Sequence, residues 1–292
     1  MDTVTTQMFA QIVVNAILLS LLYMLMATGL TLIFSVMGLI NFAHGELYML
    51  GGFAIYFVSE LMGFQYWWGL LVGIVFAGLF GILLEKGVFR PLRKNLVQAS
   101  LASLGVGLIL QTVILLLFGG QDRAVPRIFD QVLEISGIFI PLQKLFTVGA
   151  SALVAAALIF FVNHSQTGLA LQAVAQDDQA AVLQGINVGR MNAIGFGIGC
   201  ALAAAAGGLI SPLYSISPYM GVAPVFKAFI VIIMGGLGSI PGAVLASFIL
   251  GFIEQFSLTL IGYAGNILGF VIVMILLLFR PRGLLGREFR VD

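Results

Sequence analysis

Asn41, His44 and Glu46 fall within one short run, Ile40-Asn41-Phe42-Ala43-His44-Gly45-Glu46, with Gly51-Gly52 just beyond. An imidazole that titrates near neutral pH, close to a carboxylate, could relay protons, serve as base to a nucleophile, or ligate a metal. The sequence gives little to the last two. Ser35 stands nine residues before His44, and no G-x-S-x-G surrounds any serine. The other histidine, His164, lies far along the chain at a helix end, so neither an enzyme nor a metal site is expected. No G-x-x-x-x-G-K-[ST] phosphate loop is present either, so the chain binds no ATP of its own. Three readings of the cluster remain: the lining or gate of a transport pathway, a polar packing network inside a helix bundle, and a proton relay in which His44 and Glu46 neutralise each other.

The elements that hold these residues must be membrane helices. Of 292 residues, 61% are apolar and 9% charged, and mean hydropathy is +1.13. A water-soluble domain carries about 25% charged residues, so this chain has too few to coat a wet surface. Unpaired backbone groups are costly in hydrocarbon, which leaves helices or closed barrels. The apolar runs are of helix-spanning length, about 20 residues, rather than the short alternating segments of a barrel. An all-α, polytopic transmembrane bundle is expected, forming one domain over 1–292. The net charge of +1 gives no reason to expect nucleic acid, and the single Cys200 can form no intrachain disulfide. The run that begins at Met8 has no basic start and continues past Leu30, which reads as a retained helix rather than a cleaved signal.

Spanning-length runs fall near 8–34, 38–58, 66–86, 97–118, 142–163, 190–212, 225–240, 241–261 and 264–280, giving eight or nine crossings. Basic residues cluster at Lys86, Arg90, Arg93 and Lys94, and again at Arg280, Arg282, Arg287 and Arg290, so both regions and the C-terminus are expected in the cytoplasm. The segment 119–141 is then external and 163–189 internal. Eight crossings put the N-terminus inside and nine put it outside. Lys227, near an external helix end, reads as a snorkelling side chain, Glu254 and Gln255 as packing or cavity-facing groups, and Tyr66, Trp67 and Trp68 as an interfacial aromatic belt.

A second interruption, Met234-Gly235-Gly236-Leu237-Gly238-Ser239-Ile240-Pro241-Gly242, breaks any continuous helix. Broken backbone at membrane depth survives only beside protein or an aqueous cavity, which makes Gly235, Gly236, Gly238 and Ser239 pathway candidates along with Asn41, His44 and Glu46; a helix-packing kink is the other reading. The two interruptions lie in opposite halves, each followed by an apolar helix ending in Glu60 or Glu254, the pattern of a possible internal repeat. In the internal segment, Gln176-Asp177-Asp178-Gln179 is too polar to span. Asp177 is placed to cap a short helix running through Leu183, and Gly185 to stop it. Ala180, Ala181 and Leu183 are then available to a partner's groove, unless the segment is only a connecting loop.

The run Gly29-Leu30-Thr31-Leu32-Ile33-Phe34-Ser35-Val36-Met37-Gly38-Leu39-Ile40-Asn41-Phe42-Ala43-His44-Gly45-Glu46 resembles the signature of permeases of branched-chain amino acid ATP-binding-cassette importers, of the LivH type. The likeness continues through Ala99-Ser100-Leu101-Ala102-Ser103-Leu104-Gly105, through 173–186, and through Ile233–Gly242, in order over nearly the whole chain. The resemblance implies a permease subunit of the bacterial inner membrane that works with a second, LivM-like permease, two cytoplasmic ATPase subunits that bind the ATP, and a periplasmic amino-acid-binding protein. It further implies that Ala175, Gln176, Asp177, Asp178, Ala180, Ala181, Leu183 and Gly185 form the coupling helix seated on an ATPase. Many such permeases carry an Arg where Leu171 or Gln172 stands here. A permease of the same fold for urea or short amides is the alternative, followed by an ATP-independent channel or carrier.

Overall fold

The computed structural model describes residues 3–135, 138–280 and 282–286. Helix α1, Thr3–Met37, is uninterrupted because it contains neither Pro nor a charged residue, and it stops at Gly38, whose φ of +65° is a left-handed turn that glycine adopts without strain. The expected 38–58 helix is shorter than its apolar run. Residues 38–43 are not helical, and α2 is His44–Tyr56, followed by a π-helical turn, Phe57–Leu61. Helix α3, Tyr66–Leu84, continues through a second π-turn, Glu85–Phe89, into α4, Arg90–Leu92. Helix α5 is Leu96–Phe118. An antiparallel hairpin, β1 Val132–Ile135 and β2 Ile138–Pro141, then occupies the 119–141 connection, a departure from the all-helical expectation. Helices α6, Leu142–His164, α7, Gln166–Gln176, and α8, Asp178–Leu183, precede α9, Val188–Ile210. The 225–240 run is α10, Val222–Gly235; α11 is Ile240–Ile261, and a 3-10 turn, Gly262–Gly265, leads to α12, Asn266–Phe279.

Among the described residues six helices are long and apolar enough to cross a membrane, and the shorter α10 and the core of α12 are also apolar. The bundle is organised around α1 and α9, whose spans are 89% and 83% buried, whereas that of α5 is 17% buried and turns most of its side chains outward. Lipid tails are as apolar as Leu, so helices in a bilayer associate through close backbone approach at small residues. The centre is built that way. Gly29 of α1 lies against Gly199 of α9, where an added Cβ would come within 2.8 Å of the Gly199 carbonyl oxygen. Gly51 of α2 and Gly207 of α9 likewise leave no room for a Cβ against the backbones of Ala204 and Tyr48.

The connections gather on two faces. On one, Arg90 Nη2 donates to the Gly189 carbonyl at 2.8 Å and Arg93 pairs with Asp178 at 3.1 Å, joining the first basic cluster to the 163–189 segment as expected. That face also carries the α10–α11 turn, on which the Leu284 and Leu285 amides bond to the Met234 and Gly235 carbonyls. Arg280 and Arg282 lie there; Arg287 and Arg290 are outside the described residues. On the opposite face Arg123 exchanges backbone hydrogen bonds with Ile216 and donates to the Tyr56 hydroxyl.

Candidate functional site

Helix α2 has 13 residues and α10 has 14. At about 1.5 Å per residue neither covers the roughly 30 Å of a bilayer's hydrocarbon core. Helix α2 starts beside the middle of α1 and runs toward the Tyr56–Arg123 face, and α10 runs the other way, toward the α10–α11 turn. Their first turns meet, with Gly45 packed against Gly221 so tightly that a Cβ on either would collide with the other's carbonyl. The aromatic rings of Phe42 and Phe229 close the contact, 5.3 Å between centroids.

The non-helical segment 38–43 reaches this junction along α5. The Phe42 amide donates to Ser103 Oγ at 2.9 Å, and that hydroxyl donates to the Ser100 carbonyl at 2.6 Å. Asn41, fully buried, accepts from the Ala43 amide at 3.1 Å through Oδ1. His44 is fully buried, with Nε2 3.1 Å from the Met26 carbonyl. A carbonyl only accepts, so that nitrogen carries the proton. Glu46 lies against Gly107 of α5. His44 and Glu46 do not neutralise each other, and no hydrogen bond or ion pair between them occurs among the described residues. Two positions apart on a helix, they face different neighbours. Asn41 Nδ2, His44 Nδ1 and Glu46 Oε2 are buried without a hydrogen-bond partner among the described residues, as is Thr31 Oγ1 on α1. Such groups are costly, which makes the α2 start a candidate for a site whose partners come from outside the chain.

Gly235, Gly236, Gly238 and Ser239 stand apart from this cluster. They form the α10–α11 turn, with φ of +104° at Gly236 and +79° at Gly238, and Ser239 Oγ accepts from the Gly242 amide at 3.1 Å to start α11. The element that meets Asn41 and His44 is the start of α10. Its punctuation, Ser217-Pro218-Tyr219-Met220-Gly221-Val222-Ala223-Pro224, is legible as a helix start, yet the apolar run hides it.

The short helix is as expected. Asp177 Oδ1 accepts from the Ala180 amide at 2.8 Å, α8 runs to Leu183, and Gly185 follows with φ of +78°. Ala175, Gln176, Asp177, Asp178 and Ala180 are exposed, but Ala181 packs into the bundle and is not available to a partner. Val182 and Leu183 project instead, Leu183 with 85% of its surface free. Leu171, where an Arg is frequent in the resembled permeases, is buried, and Gln172 Nε2 donates to the Val162 carbonyl at 2.7 Å.

Two other expectations are corrected. Lys227 does not snorkel: its ammonium lies 3.0 Å from Glu254 of α11 and 5.5 Å from the centre of the Phe270 ring of α12. Glu254 also accepts from the Tyr23 hydroxyl of α1 at 3.0 Å. Tyr66 is no belt residue, because its hydroxyl is buried and donates to the Gly208 carbonyl at 2.9 Å; only Trp67 and Trp68 face outward.

A helical membrane bundle whose interrupted helices meet over unpartnered polar groups has the architecture of a transporter. Residues 12–279 match the family described as branched-chain amino acid transport system, permease component. The chain is 34% identical to the high-affinity branched-chain amino acid transport system permease protein LivH of Escherichia coli K12, with 96% of each chain covered. It is 32% identical, over 96% of each chain, to the corresponding permease protein BraD of Pseudomonas aeruginosa. A probable branched-chain amino acid transport permease protein LivH of Methanocaldococcus jannaschii is 25% identical over 94% of this chain and 92% of its own. The chain belongs to this family of permease components and is of the LivH type.

Proposed function

We propose that this chain is the membrane-spanning permease of an ATP-binding-cassette importer for branched-chain amino acids. The observation that carries the reading is the family match over 12–279, which takes in both broken helices and the short helix α8. The chain forms part of the translocation pathway and hydrolyses nothing itself. Its energy comes from two cytoplasmic ATPase subunits, its substrate from a periplasmic binding protein, and its pathway is completed by a second, LivM-like permease. Counting α2 with its extended lead and α10 with the 211–221 loop as one passage each gives nine crossings. The face bearing Arg90, Arg93 and the α10–α11 turn is cytoplasmic, because it holds the basic residues. Asn41, His44 and Glu46 line the pathway at the α2–α10 junction, where their unpartnered atoms support that role. The Gly235–Ser239 turn acts from the cytoplasmic side as the pivot between α10 and α11. Helix α8 is the coupling element: Leu183 and Val182 enter the ATPase groove, and the Arg93–Asp178 pair transmits its movement to the head of α5.

Gentle solubilisation of the chain from cells carrying its native neighbours, with identification of what copurifies, tests this. Recovery of a phosphate-loop ATPase and a second polytopic protein, with uptake of leucine by the reconstituted set only in the presence of ATP, is the expected result. A chain that purifies alone and moves solute in liposomes without ATP overturns it.

A further inference from the structure

Helices α2 and α10 begin inside the bundle and against each other, and they run off in opposite directions. Both therefore turn the positive ends of their dipoles to one place, while the His44, Glu46 and Val222 amides already bond to the carbonyls of Asn41, Ala43 and Tyr219 and Pro224 has no amide hydrogen. Helices α5, α7, α8, α9 and α11 each begin with a side-chain acceptor, from Asn95, Ser165, Asp177, Asn187 and Ser239. As is also the case at α3, α6 and α12, the residues preceding α2 and α10, Ala43 and Gly221, supply none. What stands there instead is a donor. The Asn41 carboxamide is pinned to the α2 start through its bond from the Ala43 amide, it has no exposed surface, and its Nδ2 has no partner among the described residues. In the same first turn Glu46 offers an unpartnered acceptor, Oε2.

Donor and acceptor thus lie unsatisfied five positions apart in the chain, one just before the start of α2 and one in its first turn. A lone anion would be drawn to the helix ends and repelled by Glu46. A lone cation would meet the reverse. A neutral amide would leave the carboxylate uncompensated. One common solute supplies both charges on a single carbon, the zwitterionic head of an α-amino acid. We propose that the α2–α10 junction is the place where the membrane subunit itself reads that head group, with the carboxylate on Asn41 Nδ2 and the paired helix starts and the ammonium on Glu46. The inference rests on the amino-acid importer reading and deepens it: the membrane chain selects for the amino-acid head, whatever side chain follows. Asn41 and His44 are sealed in this conformation, so the head group enters when the Gly45–Gly221 contact parts.

The test uses the purified complete complex without its binding protein, observed by saturation-transfer NMR with millimolar ligands. Leucine is expected to receive saturation. Leucinol, which keeps only the ammonium, and 4-methylpentanoate, which keeps only the carboxylate, are expected neither to receive it comparably nor to displace leucine. Asn41→Asp, which adds a negative charge, and Glu46→Gln, which removes one, each in a nearly unchanged volume, are expected to lower the leucine signal and leucine uptake by at least about tenfold. Should either variant fail to assemble, the analogue competition on the unaltered complex decides alone. Equal competition by either single-charge analogue, no saturation of leucine, or full uptake by both variants overturns the proposal while leaving ATP-driven leucine uptake intact. Absence of leucine uptake by the unaltered complex with its binding protein instead removes the importer reading on which it stands.

Discussion

Lys227, Glu254 and Tyr23 join three helices through groups that are expensive to bury. Removing a buried ion from water is repaid only while its partner is present, so breaking such a pair from one side costs about 3–5 kcal/mol. Lys227→Ala leaves Glu254 charged and without its counter-ion beside the Tyr23 hydroxyl. The variant is expected to lose stability on that scale, read as a large drop in the melting temperature of the purified complex. The double replacement Lys227→Met with Glu254→Leu should recover most of the loss, since both charges go together. No such pair is visible in the sequence. Lys227 and Glu254 are 27 positions apart on different helices, and a lysine near a helix end has snorkelling as its cheaper option. Only the register of α10 on α11 and α12 turns the side chain inward. Asn41, His44 and Glu46, by contrast, announce themselves, because polar groups so close together in an apolar run have no place to go but a protein interior or a cavity. Their identity was legible; their failure to pair was not, because that depends on α2 starting at His44.

Helix α8 shows how far local chemistry reaches. Six residues between a capping aspartate and a left-handed glycine form the same turn wherever they are placed, so Asp177, Leu183 and Gly185 could be assigned from spacing alone. Which side of it packs required the bundle: Ala181 faces in, and Val182 and Leu183 face out. Leu183→Asp should leave the fold unchanged, because the side chain touches little of its own chain. It should also sharply weaken ATPase recovery in a pull-down and abolish ATP-dependent uptake. Retention of both would show that another element carries the coupling. The half-length helices were harder to read. An apolar count sees α10 and α11 as neighbours divided at Gly235–Gly242 and passes over the start at Val222, because Pro218, Gly221 and Pro224 are embedded in otherwise apolar surroundings. It is α2 and α10 that meet in space, through glycines whose contact no one-dimensional pattern records.

At the scale of the whole molecule, the proposed nine passages would place the start of α1 and the region after α12 on opposite sides. In a Cys200→Ala background, Met8→Cys should react with an impermeant maleimide added to intact cells, and Leu285→Cys only after permeabilisation. Both native residues are about half exposed, which makes their positions reachable. Labelling of the two from one side would establish an even number of passages instead. The most buried helix of the bundle, α1, also leaves the ribosome ahead of the helices that bury it. Its hydrogen bonds to α11 join residues 228 and 231 positions apart, and Gly29 waits for Gly199. At about 5–20 residues per second the delay is on the order of 10–50 s. Through that interval α1 has to rest among lipids as an ordinary span, which a helix carrying even one permanent charge at its centre would do poorly. The absence of Asp, Glu, Lys and Arg from Thr3–Met37 is therefore as much a condition of biogenesis as of the finished bundle, and the buried charges among the described residues are carried by α2, the π-turn after α3, α10 and α11, all inserted after it.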